Sequence, residues 1–184
     1  EEDFASLATT VRGTVERIDV IINCIGVLHD DIKKPEKRLA DLNVTQMLDS
    51  FRVNSIPVAL LAKHLLPLIK NSNPSLFASL SARVGSISDN RAGGWYSYRT
   101  TKAAHNMLVK NIALELERFR CHTLTLALHP GTTKTRLSEP FIAKTRYTLH
   151  TPDETARNLL AVMGGKSMDD NGGFFDWQGQ SIDW

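Results

Sequence analysis

Two side chains in the stretch YSYRTTK, residues 96–102, could move a proton together: Tyr98 and Lys102, four positions apart. Residues four apart on a helix are neighbours on one face. An ammonium group beside a phenol favours the phenolate and lowers the tyrosine pKa from its ordinary value of about 10. A phenol tuned in this way can pass a proton to or from a carbonyl or alcohol oxygen. A helical pair of this kind recurs by chance, so the surrounding elements must bring it to a cleft.

The hydrophobic pattern predicts those elements. Phe4, Leu7, Ala8, Val11 and Val15 follow helical spacing over about Asp3–Glu16. IDVIINC (18–24), SLFASLS (75–81) and CHTLTLALH (121–129) are short apolar runs of the kind buried on both faces of a parallel sheet. A long helical pattern covers Val44–Ile69, with Pro57 and Pro67 predicting a bend or short break. Another covers Tyr98–Phe119, with Leu108, Ile112, Leu116 and Phe119 on one face. Thr151, Pro152 and two acids announce a helix start for residues 151–163, and NGGFFDWQGQSIDW closes the chain as a strand and a Gly turn. The charged KKPEKR segment between the first strand and the second helix reads as a solvated surface.

Helices alternating with buried strands predict an α/β fold, a doubly wound parallel sheet of the Rossmann-like kind in a single domain over residues 1–184. In such sheets ligands bind at the carboxyl ends of the strands. Here those ends carry Asn23–Gly26, Ser81–Ser88 and His129–Thr135. Tyr98 and Lys102 would open the helix that leaves the second of them.

Composition removes several function classes. The 184 residues carry 22 Lys+Arg against 20 Asp+Glu, a net charge of +2, with no basic run interleaved with aromatics, so no nucleic-acid partner is expected. The longest apolar run, IPVALLAKHLLPLI, is interrupted by Lys63, His64 and Pro67, which argues against a membrane span. Six histidines show no metal-ligand spacing, so no metal site is expected. Cys24 and Cys121 lie in or beside apolar segments and read as buried free thiols, suited to a reducing cytoplasm.

The motifs around the Tyr/Lys pair resemble those of the short-chain dehydrogenases/reductases, best the sniffer-like carbonyl reductases and C-factor proteins. GGWYSYRTTKAAHNML resembles the family's active-site helix, INCIG its Asn-Asn-Ala-Gly strand end, and FRVNSIPVALLAKHLLPLI the helix carrying its active-site asparagine. SARVGSISDN matches the strand-end serine loop, HPGTTKTRL the Pro-Gly segment beside the nicotinamide, and the closing tail that of the subgroup. The resemblance implies an NADP-dependent carbonyl reductase, with NAD as the other option. It makes Tyr98 the general acid, has Lys102 lower its pKa and bind the nicotinamide ribose, and gives Asn54 a helix distortion and a water that relays protons. Asn23 and Gly26 would line the adenine-ribose side, Pro130 and Gly131 would shape the loop over the nicotinamide, and Thr133 and Thr135 would meet its carboxamide or phosphate. Trp95, Tyr96 and the segment 137–147 would wall a pocket for a small-molecule carbonyl substrate. The same resemblance allows a homodimer, a homotetramer or a monomer.

Two departures from the family pattern stand out. Ala82 occupies the place of the substrate-orienting serine, leaving Ser86, twelve residues before Tyr98, as the preferred substitute and Ser81 as the alternative. The Gly-rich turn that seats the pyrophosphate has no counterpart in the chain, and Glu1–Glu16 reads as a third crossover helix, so two or three strands and two helices are expected upstream. Both departures favour the competing expectation, a non-catalytic dinucleotide-binding or C-factor-like signalling protein on the same fold. The Tyr98/Lys102/Asn54 set opposes it.

Overall fold

A computed structural model describes residues 1–69, 73–143 and 147–184. Four strands form one parallel sheet: β1 (Val20–Asn23), β2 (Ser75–Leu80), β3 (Thr123–His129) and β6 (Gly173–Asp176), adjacent in that order. The register pairs Asn23 with Ser79, Leu80 with Leu128, and His129 with Asp176, so the carboxyl ends of the strands align along one edge. Between them, β4 (Thr132–Thr133) and β5 (Leu149–His150) make a small parallel pair.

The helices are α1 (Glu2–Arg12), α2 (Val44–Asn54), α3 (Ile56–Ile69), α4 (Tyr96–Arg118), α5 (Glu139–Ile142) and α6 (Pro152–Gly164). The expected break in the second long pattern falls at Ser55, between α2 and α3. Pro57 is then in the first turn of α3, where no backbone N–H is needed. Helix α6 begins as its sequence announces: Thr151 accepts from Glu154 N at 3.2 Å while the Glu154 carboxylate accepts from Thr151 N at 2.7 Å.

Alternation along the strands builds two cores, because successive residues face opposite sides of a sheet. Phe77, Ala127 and Phe174 pack with Val58, Leu61 and Leu65 of α3 and Val109 of α4. Their neighbours Ala78, Leu126, Leu128 and Phe175 pack with Leu159, Val162 and Met163 of α6 on the other face. Helix α1 joins the first face through Ala8, with Leu7 left exposed. On α4 the inward residues are Val109, Ala113 and Leu116, while Phe119 is exposed. Among the described residues β1 and β6 are the outer strands of the sheet, and Val20 and Ile22 of β1 are exposed.

Candidate active site

The inward stripe of α4 changes character along its length. Its last turns bury Val109, Ala113 and Leu116, but its first turns bury Ser97, Tyr98, Thr101, Lys102, His105 and Asn106. The polar half lies where the strands end, beside a groove lined by Gly26, Ser81, Ala82, Tyr98, Lys102, Pro130 and Gly131, among others. Helical periodicity thus turns one face of α4 into a core contact at one end and a site wall at the other.

Lys102 reaches this groove from inside the protein. Its ammonium donates to Leu80 O, at the end of β2, at 3.0 Å, and lies 5.9 Å from the centre of the Tyr98 ring. Gly26 admits it: a Cβ on that residue would stand 3.4 Å from Lys102 Nζ and 3.6 Å from Asn54 Oδ1. Asn54 ties the strand-end loop to both helices. Its Oδ1 accepts from Val27 N at 2.7 Å, and its Nδ2 donates to Val27 O at 2.9 Å and to Thr101 Oγ1 at 3.3 Å. Ser55 Oγ donates to Thr101 O at 2.7 Å, locking the α2–α3 break onto α4.

Burial sets the electrostatics, and here the sequence expectation is corrected. Burial pushes the Tyr98 phenol up to about 12 instead of letting Lys102 lower it, and draws Lys102 itself down to about 8. Both charged forms lose hydration, and that loss exceeds their mutual attraction. The Tyr98 phenol is therefore held in its neutral form at neutral pH, beside a lysine whose own pKa burial lowers. His105 supports the same cluster: its Nδ1 donates to Asn54 O at 2.9 Å, and burial first, then the Lys102 charge, lowers its pKa to about 4.

The two candidate serines part company. Ser86 Oγ donates to Asp183 O at 2.5 Å and accepts from Asp89 N, so its hydroxyl serves the C-terminal tail and stands apart from the groove lining. Ser81 and Ala82 line the groove, but Ser81 Oγ donates to Asn106 Oδ1 at 2.5 Å. The preference for Ser86 is thus not supported by its surroundings.

Other expected residues fall in and out of the groove. Asn23 is buried and structural: its Nδ2 donates to Ser79 Oγ at 2.8 Å and its Oδ1 accepts from Ile25 N. Cys24, expected to be buried, is exposed at the groove, because the residue after Asn23 faces the opposite way; Cys121 is buried as expected. Gly131, at φ +73°, packs where a Cβ would meet the Trp177 ring at 2.8 Å. Thr133 and Thr135 line the groove, Thr133 Oγ1 sharing a 2.8 Å hydrogen bond with Thr155 Oγ1 on α6.

An aromatic wall faces Tyr98. Trp95 meets the Tyr98 ring edge-on at 6.3 Å and Phe141 at 5.0 Å, while His29 donates to Arg136 O and Leu137 O and edges Phe141 at 5.6 Å. Leu137, Pro140, Phe141, Ala143 and Tyr147 also line the groove; Tyr96 does not, and residues 144–146 of that segment lie outside the described residues. The sequence reading missed Ser55, Thr101 and His105, although the i, i+3/i+4 spacing of Thr101 and His105 around Lys102 and Tyr98 was a usable signal. It also assigned Glu36, in the charged KKPEKR segment, to solvent; Glu36 is 3% exposed. Among the described residues no group of three or more His, Cys, Asp or Glu could hold a metal ion, and no helix is long and apolar enough to cross a membrane.

The chain is similar to several known proteins. A family profile described as enoyl-(acyl carrier protein) reductase matches residues 1–156. C-signal of Myxococcus xanthus is 32% identical over 169 residues, covering 91% of this chain and 93% of that protein. A 1-hydroxy-2-glutathionyl-2-methyl-3-butene dehydrogenase of Rhodococcus sp. (strain AD45) is 26% identical over 184 residues, 100% of this chain and 76% of its own length. Among solved structures, carbonyl reductase Sniffer of D. melanogaster superposes with a TM-score of 0.85 at 24% identity, covering 100% of this chain and 74% of that one. An NADPH-bound carbonyl reductase from chicken fatty liver gives 0.81 at 25% identity, covering 98% and 72%.

Proposed function

Because the chain belongs to the short-chain dehydrogenase/reductase family, we propose that it reduces a small carbonyl compound to an alcohol with a nicotinamide dinucleotide, NADPH in preference to NADH. The observation that carries this reading is the shared placement of Tyr98 and Lys102 at the groove, 5.9 Å from ammonium to ring centre, with Asn54 holding the adjoining loop. The groove lining supports a place for the nicotinamide end of such a cofactor: Gly26 leaves the space beside Lys102 Nζ clear of a side chain, and Pro130 and Gly131 line the same groove. When bound, the cofactor supplies the hydride.

The chain's own residues would do the rest. Tyr98 Oη donates its proton to the carbonyl oxygen as negative charge develops there. Lys102 would stabilise the phenolate so formed, opposing the penalty that burial imposes on it. Asn54 and Ser55 fix the helix break and the Gly26–Val27 loop around that lysine. Pro130, Gly131, Thr133 and Thr135 would position the nicotinamide, with Trp95 and Phe141 excluding water from the reacting carbonyl. Ala82 offers no hydroxyl, so the carbonyl oxygen depends on Tyr98 more heavily than where a serine also donates.

The test is cofactor oxidation with a panel of aldehydes and quinones, wild type against Tyr98→Phe. Removing a general acid is expected to lower kcat by about 10²–10⁴-fold. A Tyr98→Phe variant that keeps most of its carbonyl-dependent activity rejects the assignment. A second reading, a non-catalytic signalling protein on the same fold, is favoured by the similarity to C-signal and by Ala82. No carbonyl-dependent turnover in the wild type, with dinucleotide binding retained, would favour that reading.

A further inference from the structure

Helix α4 carries both Tyr98 and Lys102, yet it has no cap of its own. Its N-cap residue, Trp95, makes no capping hydrogen bond with its side chain. The three residues before the helix, Gly93, Gly94 and Trp95, all adopt left-handed backbone, at φ 62°, 63° and 50°. For tryptophan that conformation is strained and persists only when the surroundings hold it. The first-turn N–H groups of the helix also need acceptors from elsewhere.

One residue from another part of the chain bears on both needs. Glu36, in the loop between β1 and α2, accepts from Ser97 N at 3.1 Å with its carboxylate, and its backbone O accepts from Trp95 N at 2.5 Å. Ser97 Oγ donates a further short bond to the same carboxylate. Gln46 Nε2, in the first turn of α2, donates to it at 3.0 Å and to Lys34 O at 2.9 Å. Among the described residues no lysine, arginine or histidine forms an ion pair with Glu36. A buried carboxylate without a cation is costly unless hydrogen-bonded, and here the positive end of the α4 dipole and three donors offset that cost.

We propose that Glu36 is a positioning residue for this site: it caps α4 in place of the helix's own N-cap, fixes the direction in which Tyr98 points, and ties that turn to α2, whose far end bears Asn54. The same bonds hold Trp95 in the conformation that sets its ring against Tyr98 and Phe141. The catalytic part of this inference rests on the proposed reductase reading; the capping part does not.

The experiment compares Glu36→Ala, Glu36→Gln and Tyr98→Phe, reading kcat, KM and amide hydrogen exchange across α4. Displacing Tyr98 is expected to lower kcat of Glu36→Ala about ten- to hundredfold, with KM for the carbonyl within about threefold. Exchange of residues 96–101 is expected to rise at least about tenfold, with residues 108–118 unchanged. Glu36→Gln keeps the shape and one acceptor and should recover part of both losses; if the alanine variant does not fold, Glu36→Gln should show the same pattern at smaller size. Wild-type kcat in Glu36→Ala while Tyr98→Phe is inactive would overturn the inference and leave the reductase reading intact. A loss of protection spread evenly along α4 would also overturn it, since that marks general destabilisation. If Tyr98→Phe retains activity the reductase reading fails, and the exchange data alone then decide whether Glu36 caps the helix.

Discussion

Gly85 offers a sharp test of how β2 and α4 meet. It ends the tight turn Arg83–Gly85 that follows β2, and its φ lies outside the left-handed range, so alanine meets no backbone strain there. Relief of unfolded-chain entropy alone would make Gly85→Ala stabilising by about 0.4–1 kcal/mol. Space reverses the sign. A Cβ at Gly85 would stand 2.8 Å from the carbonyl carbon of Lys102, 2.8 Å from its Cβ and 3.0 Å from its O. Restoring carbon–carbon contact to about 3.5 Å requires the two segments to part by about 0.7 Å. Overpacking of this kind costs about 1–3 kcal/mol, leaving a net destabilisation of about 1.3 kcal/mol at the midpoints of the two ranges and at most about 2.6 kcal/mol. The moved atoms are the backbone carbonyl and Cβ of Lys102, so the site should suffer more than the fold. A displacement of that order is expected to lower kcat about ten- to hundredfold. Urea denaturation followed by circular dichroism gives the first quantity, and carbonyl-dependent cofactor oxidation the second. If Gly85→Ala is as stable as the wild type, or more so, and turns over at the same rate, then the strand-end turn does not pack on Lys102 and the account of the site fails.

Three further expectations concern buried polar groups. Asn54→Ala would strand Val27 N and Val27 O and is expected to cost about 2–3 kcal/mol in urea unfolding; a loss below about 0.5 kcal/mol would contradict the bridging role. Burial, aided by the charges of Lys102 and Arg83 respectively, lowers His105 and His129 to about 4, so the unfolded chain binds more protons between pH 4 and 6.5. Their contribution is complete above about pH 6.5 and lost as the pH falls towards 4: between pH 7 and 5 each should subtract about 2 kcal/mol. His105→Leu should remove about half of that slope, and an unchanged pH dependence would refute it. Because burial draws Lys102 down to about 8, its ammonium is lost as the pH rises through that value, so kcat should fall above about pH 8 if the charge assists Tyr98; a rate flat to pH 9.5 would count against the pairing.

Much of the architecture was legible because it depends on neighbours in sequence. Periodicity placed the sheet strands and the long helices within a few residues, Pro57 marked the α2–α3 break while Pro67 lies inside the continuous α3, and the Thr151–Glu154 capping box marked the start of α6; the short α5, β4 and β5 were not foreseen. The Tyr98/Lys102 pair was legible for the same reason, since a helix makes residues four apart neighbours whatever surrounds it.

Burial and partnership were not legible, because they are decided by segments far away along the chain. Glu36 sits among lysines and an arginine in sequence and reads as a surface charge, but its partner Ser97 lies 61 residues on. Ser86 has the right interval to Tyr98, yet its hydroxyl is taken by Asp183, 97 residues away. The direction of the Tyr98 pKa follows the same rule: spacing specifies that an ammonium is near, while the packing of α4 against the strand ends specifies how much water both groups lose. The sequence by itself determined which chemistry the helix could carry. Only the tertiary structure decided which groups face the groove, which are spent holding it together, and in which protonation state they stand, because desolvation and long-range hydrogen bonds exist only once distant segments are packed.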